Sequence, residues 1–127
     1  KARALSVRRA ALLAEYYLGS VDALTLGGDL VLRDGVGNRI AGLTFGPRKT
    51  VIVVGVNQIV ADLESAFARL EALTLAKRLS AIKSLKAPAA ASARLREDAS
   101  GAATVVIHRR PAFADATVLL VREEIAI

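Results

Sequence analysis

The seven residues Thr50-Val51-Ile52-Val53-Val54-Gly55-Val56 decide the fold class. β-Branched side chains are stiff at χ1 and pack well on a pleated surface, so the run reads as a strand. It has no polar face, the pattern of an interior strand covered on both sides by other layers, and it is therefore expected at the centre of a sheet. Downstream, Asn57 caps or turns the chain. From Val60 to Leu75, Leu63, Phe67, Leu70 and Leu73 recur at helical spacing, with Asp62, Glu64 and Glu71 on the opposite side. Acidic residues in the first turns suit the positive end of a helix. Residues 76–84 either continue this helix or begin another.

Upstream of the central run, Arg39 to Phe45 reads as extended, because Ile40, Gly42 and Thr44 alternate with Ala41, Leu43 and Phe45, and Gly46-Pro47-Arg48-Lys49 breaks it. Asp22 to Leu26 and Asp29 to Arg33 read as two strands around Gly27-Gly28, the second entering a turn at Asp34-Gly35. Ser6 to Tyr17 reads as a helix ended by Gly19, with Val7, Ala10, Ala11, Leu13, Ala14 and Tyr17 at intervals of three and four. Towards the other end, residues 87–102 are small, polar and weakly patterned, and are expected to be mobile. Ala103 to His108 and Ala116 to Arg122 are two further strands. The alternation of strands and helices predicts an α/β fold, a mixed or mostly parallel sheet flanked by helices, in one domain spanning residues 1–127.

Composition narrows the chemistry. The chain has 127 residues, of which 54% are apolar, enough for one core. It has no Cys, which excludes disulfides, thiolate zinc sites, thiolate-bound clusters and Cys-His catalysis. A single His leaves little for a metal site, so neither metal nor cofactor is expected. Apolar runs are far shorter than the roughly 20 residues that cross a bilayer, and no signal peptide opens the chain, so a soluble cytoplasmic protein without membrane contact is expected. The chain starts at Lys1 and contains no Met, which reads as a domain whose upstream part is missing. A formal charge of +6 permits anionic partners without demanding them. Sparse aromatics argue against a single-strand stacking platform.

The densest local signal runs from Asp29 to Arg39, followed by Phe45-Gly-Pro-Arg-Lys49. Gly35 and Gly37 let backbone amides approach an anion, Asn38 both donates and accepts, and Arg39 presents a planar fork suited to carboxylate or phosphate. The competing reading is a glycine-rich turn between strands with a solvated arginine. The run lacks the Lys-Ser/Thr ending of a phosphate loop and the spacing of a dinucleotide fingerprint. Asp22, Asp29 and Asp34 stand near strand ends, where a general acid or base is useful and where turn capping is commoner. Thr25 has no evident base to make it a nucleophile. Residues 77–96 hold Lys77, Arg78, Lys83, Lys86, Arg94 and Arg96 with no acidic residue, either a solvated surface or a face for nucleic acid. His108, beside Arg109-Arg110, reads as an edge histidine.

The segments Leu12-Leu-Ala-Glu-Tyr-Tyr-Leu-Gly-Ser-Val-Asp-Ala-Leu-Thr25, Gly28-Asp-Leu-Val, Asp34-Gly-Val-Gly-Asn-Arg39, Phe45-Gly-Pro-Arg-Lys49, Val51-Ile-Val-Val-Gly55, Asn57 and Ala76-Lys-Arg-Leu79 resemble, in order, the lactate-utilisation (LUD) domain family, nearest its uncharacterised branch. The resemblance implies the α/β fold shared by glucosamine-6-phosphate deaminase, ribose-5-phosphate isomerase and coenzyme A transferases. It also implies a link to a system that oxidises lactate through iron–sulfur partners. The family often has Asn where this chain has Asp22, and Glu where it has Leu26. A residue without a carboxylate cannot serve as the acyl acceptor of a coenzyme A transferase. Where the uncharacterised branch tends to carry cysteines, this chain has Ala89, Ser92, Ala93, Ala99 and Ala102.

These readings converge on a small-anion site made of Thr25, Gly28, Asp29, Gly35, Gly37, Asn38 and Arg39, in an accessory or ligand-sensing subunit of hydroxy-acid utilisation. The expected partners are a small anionic ligand, iron–sulfur electron-transfer subunits and a second copy of the chain. Two alternatives stand beside it: an enzyme acting on sugar phosphates or acyl thioesters, testable at Asp29 and Asp34, and a nucleic-acid surface over residues 77–96, the least favoured of the three.

Overall fold

The computed structural model describes residues 2–83, 101–112 and 114–125. Strands and helices follow one another as expected for an α/β chain: α1 (Ala2–Ala11), β1 (Tyr16–Gly19), β2 (Ala23–Thr25), β3 (Leu30–Asp34), α2 (Asn38–Thr44), β4 (Lys49–Gly55), a 3₁₀ turn (Val56–Gln58), β5 (Ile59–Val60), α3 (Leu63–Lys83), β6 (Ala103–Ile107) and β7 (Asp115–Val121). The strands form two sheets. One is three-stranded and wholly parallel, in the order β1-β4-β7, with Leu18 opposite Val51 and Val53 opposite Leu119. The other is four-stranded and mixed, in the order β5-β2-β3-β6.

Alternation along β3 explains the layering. Leu32 packs with Val21, Leu43, Ile52 and Val54 between the two sheets, whereas Val31 packs with Ala23, Ala66 and Leu70 of α3 on the other side of the mixed sheet. The order of layers is therefore parallel sheet, α2 and core, mixed sheet, α3. The expected central strand is found as β4, the middle strand of the parallel sheet. Its expected cover on both faces is not found: Thr50, Ile52 and Val54 are buried, but Val51 and Val53 are half-buried and their neighbours Leu18 and Leu119 are exposed. Among the described residues nothing lies over that outer face.

Two element assignments are corrected. The helix read over Ser6–Tyr17 ends at Ala11, where bonds from Leu12, Leu13 and Ala14 to carbonyls three residues back tighten the chain into a turn. Tyr16, Tyr17 and Gly19 instead form β1, because parallel pairing with Lys49–Ile52 outweighs local helical spacing. The Tyr17 ring lies so close to Gly42 that a β-carbon there would stand 2.5 Å from ring atoms. The stretch Arg39–Phe45, read as extended, is the helix α2. Ile40 and Leu43, three apart, face the core, while Phe45 is exposed. Its first-turn amides are held by Asp34, so a tertiary cap decides the conformation that period-two alternation misjudged.

Residues 76–83 continue α3, which starts at Leu63 behind Asp62, whose carboxylate accepts from the Ser65 amide at 2.8 Å. Val60 belongs to β5. Gln58, fully buried, ties the sheets together: its carbonyl accepts from the Gly55 amide at 2.8 Å, and its amide donates to Ser20 Oγ at 3.0 Å and to the Val21 carbonyl. Among the described residues no helix is long and apolar enough to cross a membrane. The segment expected to be mobile, 87–102, lies outside the described residues except for Gly101 and Ala102.

Candidate functional site

At the end of β3 the chain turns through Asp34-Gly35-Val36-Gly37 into α2. Gly37 has φ 87°, a left-handed conformation open to glycine. The turn folds its amides inwards onto Asp34: Oδ1 accepts from Val36 at 3.1 Å, and Oδ2 accepts from Arg39 at 2.8 Å and Ile40 at 3.2 Å. Burial alone would raise the Asp34 carboxyl, but the amides of Val36, Ile40, Arg39 and Gly37 together hold it below the usual carboxylate range. The main-chain donors of this loop thus already carry an anion supplied by the chain itself.

What remains open is the Arg39 side chain. It projects from the first turn of α2 towards the β1–β2 connection, where one terminal nitrogen lies 3.4 Å from the Ser20 carbonyl and 3.5 Å from Asp22 Oδ1. Both contacts are long for a guanidinium, which ordinarily bonds oxygen at about 2.7–2.9 Å when the acceptor is charged. Tyr17 stands beside it. Burial raises the Tyr17 phenol, the Arg39 charge opposes that rise, and the Asp34 charge adds to it.

Asp22 is fixed on three sides. Its carbonyl accepts from Arg69 Nε at 2.8 Å, its amide donates to Val31, and Oδ2 accepts from the Arg33 amide at 2.6 Å. Oδ1 is buried and has no hydrogen-bond partner. A cavity of about 190 Å³ opens here, bounded by Asp22, Arg33, Asp34 and Arg39 on one side and by Thr74 and Lys77 of α3 on the other. Arg33 is already committed: its guanidinium donates to Glu71 at 2.7 Å, Thr74 at 3.1 Å and Thr104 at 3.0 Å, which ties β3 to α3 and β6. The cavity therefore presents the Arg39 guanidinium, held by long contacts to Ser20 and Asp22 beside Tyr17, one buried carboxylate oxygen with an ion-pair partner but no hydrogen bond, and the added positive charge of Lys77.

The seven residues expected to share one site are distributed over several places. Gly35 and Arg39 line the Asp22 cavity, Gly37 caps α2 and Asn38 is that helix's first residue. Thr25 and Asp29 border a separate, open depression beside the start of α3, with Gly27, Asp62 and Glu64. There the Asp29 amide donates to Thr25 Oγ1 at 2.9 Å, Thr25 Oγ1 donates to Asp29 Oδ2 at 3.2 Å, and His108 Nδ1 donates to Asp29 Oδ1 at 2.6 Å. Gly28, at φ 94°, borders a third cavity between the sheets. Among the described residues no group of three or more His, Asp or Glu stands together as a metal site requires.

The sequence reading missed Tyr17, Arg33, Thr74 and Lys77 as neighbours of Arg39, and weighed Asp22 only as a strand-end carboxylate. One signal was available. An antiparallel hairpin around Gly27-Gly28 pairs Ala23 with Val31, which brings Asp22 alongside the Arg33 backbone.

The sequence model of the LUD domain matches residues 1–117. The chain belongs to the LUD domain family. No curated protein and no solved structure is significantly similar to it. As an LUD domain the chain is related to lactate utilisation.

Proposed function

We propose that this LUD domain holds a small 2-hydroxy acid, of which lactate is the type, in the Asp22–Arg39 cavity, as an accessory or sensing subunit of hydroxy-acid utilisation. The observation that carries the reading is Asp22 Oδ1: a buried carboxylate oxygen without a donor, 3.5 Å from a guanidinium. Arg39 balances the charge of this oxygen but no group donates a hydrogen bond to it, and a ligand hydroxyl would supply one. A hydroxy acid supplies both complements at once. Its carboxylate engages the Arg39 fork and its hydroxyl donates to Asp22 Oδ1. Lys77 adds positive potential that favours entry of the anion.

The cavity, about 190 Å³, is smaller than the roughly 300–1,000 Å³ clefts that take drug-sized ligands, which suits a small organic acid. Electron transfer in this reading belongs to iron–sulfur partner subunits in the cytoplasm. The thermal midpoint with added L-lactate, pyruvate, coenzyme A or a phosphosugar tests it. L-Lactate raises the midpoint of the wild type and not of Arg39→Ala. Equal shifts in both proteins, or none, refute the site.

A second reading rests on the other polar cluster. Asp29, bonded to both Thr25 and His108 beside an open depression, is arranged for proton transfer, as an enzyme of sugar phosphates or acyl thioesters requires. That reading predicts turnover abolished in Asp29→Asn, and a wild type silent on such substrates removes it.

A further inference from the structure

The cavity between the two sheets that Gly28 borders, of about 170 Å³, lies away from Asp22. Its walls are apolar: Leu30 and Ile107 from the mixed sheet, Leu43 from α2, and Ile52 and Val118 from the parallel sheet. Thr50 is the polar residue set among these apolar side chains. It is 2% exposed, and its hydroxyl is buried with no hydrogen-bond partner. A threonine that only filled space would be better replaced by valine, since a buried hydroxyl without a partner costs about 1–3 kcal/mol.

Strand register gives the cavity a direction. Thr50 sits opposite Ala116 and Ile52 opposite Val118, so Thr50 lies two positions nearer the start of β7 than the isoleucine. On the mixed sheet Leu30 pairs with Ile107, directly before His108-Arg109-Arg110. Arg109 and Arg110 line the cavity together with Pro111. Arg110 bonds Asp115 at 3.3 Å, the residue that opens β7 opposite Lys49, which anchors the basic end one position from Thr50. Arg109 has no hydrogen bond or ion pair among the described residues. One end is thus cationic with a hydroxyl to spare, and the other is hydrocarbon.

We infer that this inter-sheet cavity is a second binding site, taking a small amphipathic organic acid with a branched aliphatic body of no more than about four carbons. Its carboxylate meets Arg109 and Arg110, an oxygen next to the carboxylate accepts from Thr50 Oγ1, and its hydrocarbon lies against Ile52, Val118 and Leu43. This ligand is distinguished from the one at Asp22 by its need for an apolar body, which the Asp22 cavity, walled mostly by charged and polar side chains, does not accommodate.

The test is methyl NMR on the full chain, titrated with 4-methyl-2-oxopentanoate, with 4-methylpentanoate, which lacks the oxo oxygen, and with acetate, which lacks the body. The first produces saturable shifts of the Ile52, Ile107 and Val118 methyls, while Leu70 and Leu73 beside the other cavity stay in place. Thr50→Val folds with an unchanged or raised thermal midpoint and binds the oxo acid roughly tenfold more weakly, no better than 4-methylpentanoate. Arg109→Gln/Arg110→Gln weakens both acids by about tenfold or more, and acetate moves none of these resonances. Absence of saturable shifts, shifts that spread to Leu70 and Leu73 alike, or equal affinities in wild type and both variants overturn the proposal.

Discussion

Replacing Asp34 by Ala is the perturbation whose size follows most directly from the geometry. The carboxylate accepts from three amides, at 3.1, 2.8 and 3.2 Å, and Ala leaves all three without a partner in a position that is 5% exposed. Helix caps are worth about 0.5–2 kcal/mol, and a buried donor left unpaired costs about 1–3 kcal/mol, partly recovered when water enters. The expected loss is about 2–4 kcal/mol. A two-state chain of 127 residues loses about 4 °C of midpoint per kcal/mol, so the shift is about 8–16 °C. Asp34→Asn keeps one acceptor oxygen and loses roughly half as much.

Acid gives the second arm of the same assay. Because the folded carboxyl lies below its ordinary value, its contribution is complete above the unfolded value of about 3.9 and is lost as pH falls through the folded one. Urea unfolding at a series of pH values should show a constant gap between wild type and Asp34→Asn near neutrality that narrows below about pH 4. An Asp34→Ala protein less than about 1 kcal/mol weaker than wild type, or a gap unchanged by acid, would refute the reasoning.

Three further outcomes are expected. Gly42→Ala places a methyl 2.5 Å from the Tyr17 ring and lowers stability by about 1–3 kcal/mol in chemical denaturation, whereas a neutral effect would mean that α2 does not approach β1 so closely. Gln58→Leu leaves the Gly55 amide and the Val21 carbonyl without their partner and costs about 2–4 kcal/mol, measured the same way. Arg39→Ala removes the charge that opposes the burial-driven rise of Tyr17, so phenolate absorbance should appear at still higher pH than in the wild type.

How much of this was legible in the sequence depends on which forces set each element. The strands β2, β3, β4, β6 and β7 and the helix α3 were readable because β-branched content, turn glycines and helical spacing act locally. Tyr16 and Tyr17 were not, since their conformation is set by pairing with residues more than thirty positions away. Arg39–Phe45 alternates like a strand, and only the reach of Asp34 back to the amides of Arg39 and Ile40 makes it helical. The division into two sheets lies in pairings, and no single segment carries it.

The candidate site was legible in its cation and obscure in its acceptor. Arg39 stood out as a fork beside flexible glycines, but of the two glycine amides expected to help it, that of Gly37 is directed to Asp34. Asp22 became distinctive only when Arg69 and the Arg33 backbone fixed its carbonyl and one oxygen and left the other bare.

The bare oxygen makes the sharpest demand on a ligand, that it bring a hydroxyl. Calorimetric titration of the wild type with L-lactate and with propionate, which differs in lacking that hydroxyl, reads it directly. At least about tenfold tighter binding of L-lactate is predicted, with the advantage gone in Asp22→Asn. Equal affinities for the two acids, or an advantage that survives the substitution, would contradict a ligand hydroxyl on Asp22.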